Sequence, residues 1–352
     1  MALKRCVSIV GSGNWGSTIG KIVGYNIVNL KDYEHEVKMW VFEENINGRK
    51  LTEIINQDHM NVKYLPDVKL PQNLVAVPDL IETIKNADIL VFVLPHQFLG
   101  KVCEQIKGHL KPNVYGVSLI KGLGVSKSNQ LDLISDIIRD KLNIPCTALM
   151  GANLADEVSK EFYCEATIGS NDTDRGQELK KLFQTNYFRM VVIKDEVGCE
   201  LCGALKNIVA LGAGFSEGLG YGDNTKAAII RLGFMEMIKF ANTFFKDRGI
   251  DQSTFLESCG VADLITTCYG GRNKRIGKAL VETGKTVAQL ELELLNGQSA
   301  QGPLTAKEVN QVLVAHNMED TFPLFTAIFN ICEGKMAPAK FIDCLRNHPE
   351  HM

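Results

Sequence analysis

The sequence predicts an α/β protein in which an N-terminal doubly wound parallel sheet is followed by an all-α C-terminal domain. Up to residue 193, short β-branched runs alternate with amphipathic stretches, and several runs are almost continuously apolar, as parallel strands covered on both faces are. From residue 194 onwards, apolar residues recur at helical spacing and no convincing strand appears. We therefore expect one domain over residues 1–193 and a second over residues 194–352.

The individual elements follow from the period of the apolar residues. The runs predicted as strands are Val7–Val10, Lys38–Phe42, Ile89–Leu94, Val114–Leu119, Thr147–Met150 and Arg189–Ile193. The helices predicted between them are Trp15–Leu30, Leu51–Gln57, Leu80–Asn86, Phe98–His109 and Leu131–Leu142. The helices predicted in the second domain are Cys199–Phe215, Asn224–Phe245, Asp263–Cys268, Asn273–Glu282, Val287–Leu295, Pro303–His316 and Pro323–Glu333.

Composition and charge exclude several classes of protein. Of the 352 residues, 45% are apolar and 22% are charged, which is ordinary for a globular protein and wrong for a disordered or coiled-coil chain. The net charge of −3 argues against a nucleic-acid partner. No apolar stretch approaches the roughly 20 residues needed to cross a bilayer, and the N-terminus lacks the apolar region of a signal peptide. We expect a cytoplasmic protein without a membrane span.

The cysteines predict neither a disulfide framework nor a metal site. The 10 cysteines have no regular spacing, which in a chain of this length is typical of reduced, mostly buried thiols. Cys199 and Cys202 form a lone CxxC pair, and no second pair or nearby histidine completes a set of metal ligands. We therefore expect no bound metal.

A glycine-rich turn follows the first predicted strand and opens the first predicted helix. Its sequence is Gly11-Ser12-Gly13-Asn14-Trp15-Gly16, the GxGxxG pattern of dinucleotide-binding proteins. Gly11 allows the tight turn, Gly13 lets the backbone approach a pyrophosphate, and Gly16 lets the helix pack closely on the sheet. The pyrophosphate then meets free amides at the positive end of a helix. The first domain is therefore predicted to be of the Rossmann type.

The end of the second predicted strand favours NAD over NADP. Glu43 or Glu44 is placed to accept a hydrogen bond from the ribose 2′-hydroxyl and to repel a 2′-phosphate. Arg49 and Lys50 lie close by and weaken this exclusion of NADP. The neighbouring Phe42 is either a core residue or a ring that stacks on adenine.

Two further strand ends carry candidate residues, because open α/β sheets bind ligands at the carboxyl ends of their strands. His96 follows one strand and is either an acid–base group or a polar loop residue beside Phe98, which would then contact the cofactor. Lys121 follows the next strand and either points its ammonium into the same crevice or is an ordinary surface lysine.

A lysine in the second domain is embedded among apolar and small residues. Lys206 lies within Glu200–Ala210, and burying an ammonium is costly unless it is paired or loses its proton. Such burial can bring a lysine pKa into a range useful for acid–base catalysis. The adjacent Asn207 supplies amide donors. The alternative is a structural lysine that extends from a buried helix to water.

A basic cluster follows Asp263, which is either a helix N-cap or the partner of the buried lysine. Gly270 and Gly271 precede a helix that opens with Arg272 and Asn273, and no acidic residue occurs from Leu264 to Val281. Free amides, a helix N-terminus and the planar arginine side chain together suit a phosphate. The alternative is a solvated basic face.

These features together describe an NAD-linked dehydrogenase that acts on a small, phosphorylated substrate through a lysine and without a metal. One alternative is a dehydrogenase of the same two-domain build that acts on a β-hydroxyacid or a sugar nucleotide. The other is a catalytically silent NAD-sensing or scaffold protein that keeps the fold for partner binding.

Motifs along the whole chain resemble one enzyme family. Besides the glycine-rich turn they are Pro95-His96-Gln97-Phe98, Leu119-Ile120-Lys121-Gly122, Met150-Gly151-Ala152-Asn153, Gly203-Ala204-Leu205-Lys206-Asn207, Gly222-Asp223-Asn224-Thr225-Lys226-Ala227, Cys268-Tyr269-Gly270-Gly271-Arg272-Asn273 and the closing Asn347-His348-Pro349-Glu350-His351. With these motifs, the sequence is similar to the eukaryotic cytosolic NAD-dependent glycerol-3-phosphate dehydrogenases from end to end.

The resemblance implies a homodimer that interconverts dihydroxyacetone phosphate and sn-glycerol 3-phosphate with NAD as cofactor. Lys206 matches the family's proton donor and acceptor, and Asp263 and Thr267 match the polar site around it. The residues that match substrate contacts are Lys121, Asn207, Arg272 and Asn273. The residues that match cofactor contacts outside the glycine-rich turn are Phe42, Phe98, Ala155, Arg272 and Gln301. Ser299 departs from the pattern, because the family carries a lysine there that approaches the cofactor.

Overall fold

The structure is a computed structural model that describes residues 4–126, 130–295 and 299–351. Its largest feature is an eight-stranded sheet. Across this sheet the strands stand in the order Phe188–Ile193, Cys164–Gly169, Cys146–Met150, Tyr115–Ser118, Ile89–Phe92, Arg5–Val10, Tyr33–Trp40 and Leu74–Val77. The pairings from Cys146–Met150 to Leu74–Val77 are parallel, as is the pairing of Cys164–Gly169 with Phe188–Ile193.

Helices make up most of the remaining structure. The helices before residue 194 are Asn14–Ile27, Leu51–Asp58, Leu80–Ile84, Leu99–Ile106, Ile134–Leu142, Ala155–Ser159 and Thr173–Phe183. The later ones are Glu196–Gly218, Asp223–Phe244, Asp263–Tyr269, Arg272–Thr283, Val287–Leu294, Gln301–Ala315, Pro323–Cys332 and Phe341–Arg346. The predicted fold class is confirmed, because a parallel-rich sheet is followed by a part of the chain whose described elements are helical.

Within the described ranges, three short antiparallel strand pairs accompany the main sheet. They pair Asn45–Ile46 with Arg49–Lys50, Met60–Asn61 with Leu65–Lys69, and Leu123–Val125 with Leu131–Leu133. Because of the third strand pair, the prediction of a helix over Leu131–Leu142 is wrong at its N-terminal end. That helix begins only at Ile134, because the three residues before it form a strand.

Two strands of the main sheet lack a strong sequence signal. Leu74–Val77 is a four-residue edge strand whose burial alternates, and Cys164–Gly169 contains a glutamate and a glycine. The predicted strand Lys38–Phe42 ends earlier, at Trp40, so that Phe42 lies beyond the ladder. The other predicted strands agree with the structure to within a few residues.

Alternate residues of the central strands pack into two separate apolar cores. Ile9 and Val91 belong to one core, whereas Val10, Leu90 and Phe92 belong to the other. Successive side chains of a strand point to opposite faces, so both faces of this sheet are covered. This double burial explains the nearly continuous apolar runs in the sequence.

The chain forms two compact units. The first unit consists of Met1–Ile120, Ile134–Leu149 and Asn153–Glu196, and the second of Lys121–Leu133, Met150–Ala152 and Val197–Met352. Two short segments, which carry Lys121 and Gly151, therefore belong with the C-terminal helices. The predicted domain boundary between residues 193 and 194 stays a prediction.

One helix in the described ranges, Glu196–Gly218, is long and apolar enough to cross a membrane by length and composition alone, which corrects the expectation that no apolar stretch approaches this length. The mean hydropathy of its most apolar window is 1.2, and every residue of that window is buried inside the protein. Such a helix is typical of a protein core.

Candidate active site

The glycine-rich turn has the geometry of a dinucleotide cradle. Gly11 has a φ of +122°, and a Cβ atom there would lie 2.5 Å from the Val93 carbonyl oxygen. A Cβ on Gly16 would lie 2.3 Å from the Gly11 carbonyl oxygen, so helix and turn touch through their backbones. A Cβ on Gly13, in contrast, would meet no atom within 4 Å. The open space beside this backbone fits the pyrophosphate of NAD.

The other predicted residues around this turn are held in place by local contacts. The carbonyl of Ser12 accepts a hydrogen bond from the Asn61 side chain at 2.9 Å. The Asn14 side chain accepts one from the Trp15 amide at 2.8 Å. The carbonyl of Ala155 accepts one from the Thr18 hydroxyl at 3.3 Å. The first unit therefore brings Ala155 to the first turns of the helix that the glycines open.

The aromatic residues at the strand ends are exposed. The exposed fraction is 71% for Phe42 and 51% for Phe98. These rings follow strands on either side of Arg5–Val10. Next to Phe42 lies a cavity of about 530 Å³ that is lined by Trp40, Phe42, Glu43, Pro78, Asp79, Leu80, Ile81 and Gln105. Phe42 is therefore available for stacking and is not a core residue.

The charged residues near this cavity are anchored by neighbours. The Glu43 carboxylate accepts hydrogen bonds from the Thr52 amide at 3.2 Å and the Thr52 hydroxyl at 2.5 Å. The Arg49 guanidinium donates to Asp58 at 2.6 Å. Because Arg49 already has a carboxylate partner, it is a weak candidate for binding a 2′-phosphate, which agrees with NAD as the cofactor.

The second unit brings two lysines onto one carboxylate. Lys206 is only 5% exposed, and its Nζ donates to Asp263 Oδ1 at 2.5 Å and to Thr267 Oγ1 at 2.5 Å. Lys121 Nζ donates to Asp263 Oδ2 at 2.7 Å and to the Gly151 carbonyl at 2.8 Å. Thr267 donates its own proton to the Asp263 carbonyl at 2.7 Å and therefore acts as an acceptor toward Lys206. A protonated Lys206 keeps one N–H for a ligand.

The surroundings of Lys206 tune its proton affinity. Burial lowers the pKa of Lys206 to about 7, the charge of Asp263 opposes this shift, and Lys121 adds to it. A group with such a pKa gains and loses a proton near neutral pH, which is the property that general acid–base catalysis needs. The lysine is therefore suited to proton transfer, and its burial is not that of a side chain extending to water.

A π-helical turn positions Asp263. The turn spans Ser258–Ala262, directly before the helix that begins with Asp263. A Cβ on Gly260 would lie 2.1 Å from the Phe255 carbonyl oxygen, so only glycine fits the turn. Such turns are frequent at functional sites. The Asp263 side chain pairs with the lysines and does not cap its own helix.

Two asparagines and a glycine form a buried chain of hydrogen bonds beside Lys206. The Asn273 amide donates to Asn207 Oδ1 at 2.8 Å, and the Gly302 backbone N–H donates to Asn273 Oδ1 at 2.8 Å. Asn207 in turn donates to the Gly203 carbonyl at 3.1 Å. Both amide nitrogens keep a proton for a ligand. Gln301 is the first residue of its helix, directly before Gly302.

The basic cluster consists of Arg272, Lys274, Arg275 and Lys278, whose side chains differ in exposure. Arg272 is exposed and opens its helix after Gly271, whose φ is +81°. Lys274 pairs with Glu217 at 2.8 Å and Lys278 with Glu282 at 3.8 Å. The cluster is therefore not a uniformly solvated face.

Some contacts of the site could not be predicted from the sequence. The contacts not identified from the sequence are those of the Gly151 carbonyl, the Gly302 amide and Glu217. Gly151 lies in a motif of the family resemblance, and Gly302 follows Gln301, which matches a cofactor contact. His96 begins a short 3-10 helix over His96–Phe98. Ser299 is described by the structure, whereas residues 296–298 lie outside the described residues.

Known proteins match this chain over its full length. A protein of Drosophila ezoana described as cytoplasmic glycerol-3-phosphate dehydrogenase [NAD(+)] is 59% identical over 352 residues, which are 100% of both chains. Family models of the NAD-dependent glycerol-3-phosphate dehydrogenase N-terminus and C-terminus match residues 6–175 and 195–343. The chain belongs to this family. The resemblance predicted from the sequence is thereby confirmed.

Further relatives of this glycerol-3-phosphate dehydrogenase family agree. The cytoplasmic enzyme of Rattus norvegicus is 59% identical, again over 100% of both chains. The solved structure of the glycerol-3-phosphate dehydrogenase of Saccharomyces cerevisiae is 46% identical, with a TM-score of 0.88 over 98% of this chain and 100% of that one. Sequence and backbone therefore indicate the same family.

Proposed function

We propose that the protein is an NAD-dependent sn-glycerol-3-phosphate dehydrogenase that reversibly reduces dihydroxyacetone phosphate to sn-glycerol 3-phosphate. The observation that carries the proposal is the buried Lys206, held by Asp263 and Thr267 in a chain that also has a dinucleotide cradle. Membership of the family supports the same reaction.

The phosphate of the substrate is assigned to the helix that opens with Arg272 and Asn273. Arginine offers planar donors to the phosphate oxygens, and the free amide protons of Asn273 and Asn207 add neutral donors. Binding at the phosphate then orients the ketone at the central carbon of the small molecule, because interactions with groups other than the reacting carbon fix its position.

Lys206 is assigned to the ketone oxygen. NADH, when bound to the glycine-rich turn, supplies the hydride that reduces the ketone carbon. Lys206 stabilises the negative charge that develops on the oxygen and donates its proton there, and in the reverse direction it accepts the proton of the hydroxyl. Lys121, which donates to the other carboxylate oxygen of Asp263, helps Lys206 to stabilise this charge. Asp263 and Thr267 hold Lys206 at its position.

We further propose that the protein works in the cytoplasm as a homodimer. Relatives named as cytoplasmic enzymes support the location, and the family resemblance supports the dimer. In this setting the reaction supplies a precursor of glycerolipids and reoxidises cytosolic NADH.

An assay of NADH oxidation tests the proposal. We expect turnover with dihydroxyacetone phosphate and NADH, and a kcat/KM at least about a hundredfold lower with unphosphorylated dihydroxyacetone, because bonds to a charged phosphate are lost. NADPH should be a poor replacement for NADH. If NADH binds but no pair of substrates turns over, the protein is the silent NAD sensor.

A further inference from the structure

The carboxylate of Glu217 lies between two lysines in the second unit. Glu217 Oε1 accepts from Lys226 Nζ at 2.5 Å, and Glu217 Oε2 accepts from Lys274 Nζ at 2.8 Å. The exposed fractions of the three side chains are 19%, 9% and 18%, so these ion pairs are largely shielded from water. Shielded, charge-assisted hydrogen bonds are stronger than those of an exposed pair.

The two lysines bracket the turn to which the substrate phosphate is assigned. Lys226 Nζ lies 4.9 Å from the centre of the Tyr269 ring, directly before Gly270. Lys274 follows Asn273 in the first turn of the next helix. The stretch from Leu264 to Val281 has no acidic residue of its own, so the carboxylate partner of Lys274 comes from another segment, and Glu217 supplies it.

The helix that carries Glu217 packs closely against the helix that carries Lys274. Glu217 lies in the last turn of the helix that also carries Lys206. This helix touches the Arg272–Thr283 helix through backbone atoms, since a Cβ on Gly214 would lie 2.3 Å from the Lys274 carbonyl and one on Gly277 would lie 2.4 Å from the Leu211 carbonyl. A carboxylate fixed in this way holds both lysines at constant positions.

We propose that Glu217 is a positioning residue that holds the Gly270–Asn273 turn, through Lys226 and Lys274, in the conformation that binds the substrate phosphate. This role of Glu217 in substrate binding rests on the proposed function. Burial alone would raise the pKa of Glu217, but the hydrogen bonds from the two lysines outweigh it and lower the pKa, so the carboxylate is charged at neutral pH. Glu217 touches neither substrate nor cofactor in this role.

The test is Glu217→Gln, which keeps the shape of the side chain and removes its charge. We expect the KM for dihydroxyacetone phosphate to rise about tenfold, with kcat and the Kd of NADH within about twofold of wild type. Since Glu217 acts through Lys274, Glu217→Gln should add little to the KM of a Lys274→Met variant. The control is Glu293→Gln, which breaks the exposed pair of Lys285 and Glu293 and should leave KM unchanged.

Amide hydrogen exchange of residues 269–275 provides a readout that does not depend on turnover. We expect faster exchange in Glu217→Gln than in wild type or in Glu293→Gln, because the turn loses its anchor. If the wild type is active and Glu217→Gln has an unchanged KM for dihydroxyacetone phosphate, Glu217 is not a positioning residue, and the proposed function still stands. If the wild type does not reduce dihydroxyacetone phosphate, the proposed function fails. If amide exchange of residues 269–275 is also unchanged in Glu217→Gln, Glu217 does not anchor the turn either.

Discussion

Replacing Lys206 by methionine is expected to lower kcat for the reduction of dihydroxyacetone phosphate by about 10²- to 10⁴-fold. Methionine fills a similar volume in the buried site but has no proton to donate and no charge to stabilise the developing oxyanion. The glycine-rich turn and the exposed aromatic rings lie in the first unit, so the Kd of NADH should stay within about threefold of wild type. Steady-state kinetics and NADH fluorescence titration measure both quantities.

Lys21→Met is the matched control for this experiment. Lys21 is also a buried lysine, 8% exposed, and its Nζ donates to the Ser159 carbonyl at 2.7 Å in the first unit. Its replacement measures the general cost of removing a buried ammonium, and we expect kcat to change by less than about fivefold. Near-full turnover in Lys206→Met would show that Lys206 is only a structural residue.

Replacing Asp263 by asparagine is expected to affect both stability and catalysis. Asp263 is 2% exposed and is the carboxylate partner of two lysines, so its loss leaves ammonium groups without a countercharge. Breaking a buried pair in this way typically costs about 3 kcal/mol of unfolding free energy. Because the charge of Asp263 raises the pKa of Lys206, the variant should also have a lower lysine pKa. Less Lys206 is then protonated at neutral pH, and the reduction becomes slower.

Chemical denaturation and the pH dependence of kcat test the two effects separately. The pH at which the reduction loses half of its rate should move to a lower value in Asp263→Asn than in wild type. The control is Asp156→Asn, because Asp156 pairs with Lys160 on an exposed helix surface and should change neither quantity measurably. If Asp263→Asn has wild-type stability and an unchanged pH profile, Asp263 neither stabilises the protein nor raises the pKa of Lys206.

The local features of the candidate site could be predicted from the sequence. A glycine pattern between a strand and a helix has one good explanation, and a lysine among apolar residues of a helix demands a partner or a shifted pKa. Lys206 and the glycine-rich turn were therefore accessible to sequence reasoning. The role of Asp263 could not be decided from the sequence, because capping its own helix and pairing with a lysine 57 positions away are equally compatible with its position.

The remaining contacts depend on how distant segments meet. Glu217 and Lys274 lie far apart in the chain, and the carboxylate has no local signal that indicates its partners. The hairpin of Leu123–Val125 and Leu131–Leu133 belongs with the C-terminal helices although it follows a strand of the main sheet. Short or polar strands such as Cys164–Gly169 are stabilised by their neighbours in the sheet rather than by their own propensity.

The pH dependence of the wild-type protein in both directions of the reaction tests the role of Lys206 most directly. Burial lowers the pKa of this lysine to about 7. Reduction of dihydroxyacetone phosphate needs the protonated lysine, so its kcat should fall as the pH rises through about 7. Oxidation of sn-glycerol 3-phosphate needs the neutral amine, so its kcat should rise over the same range. Profiles that are flat, or that change in the same direction, between roughly pH 6 and 9 would contradict Lys206 as the proton donor and acceptor.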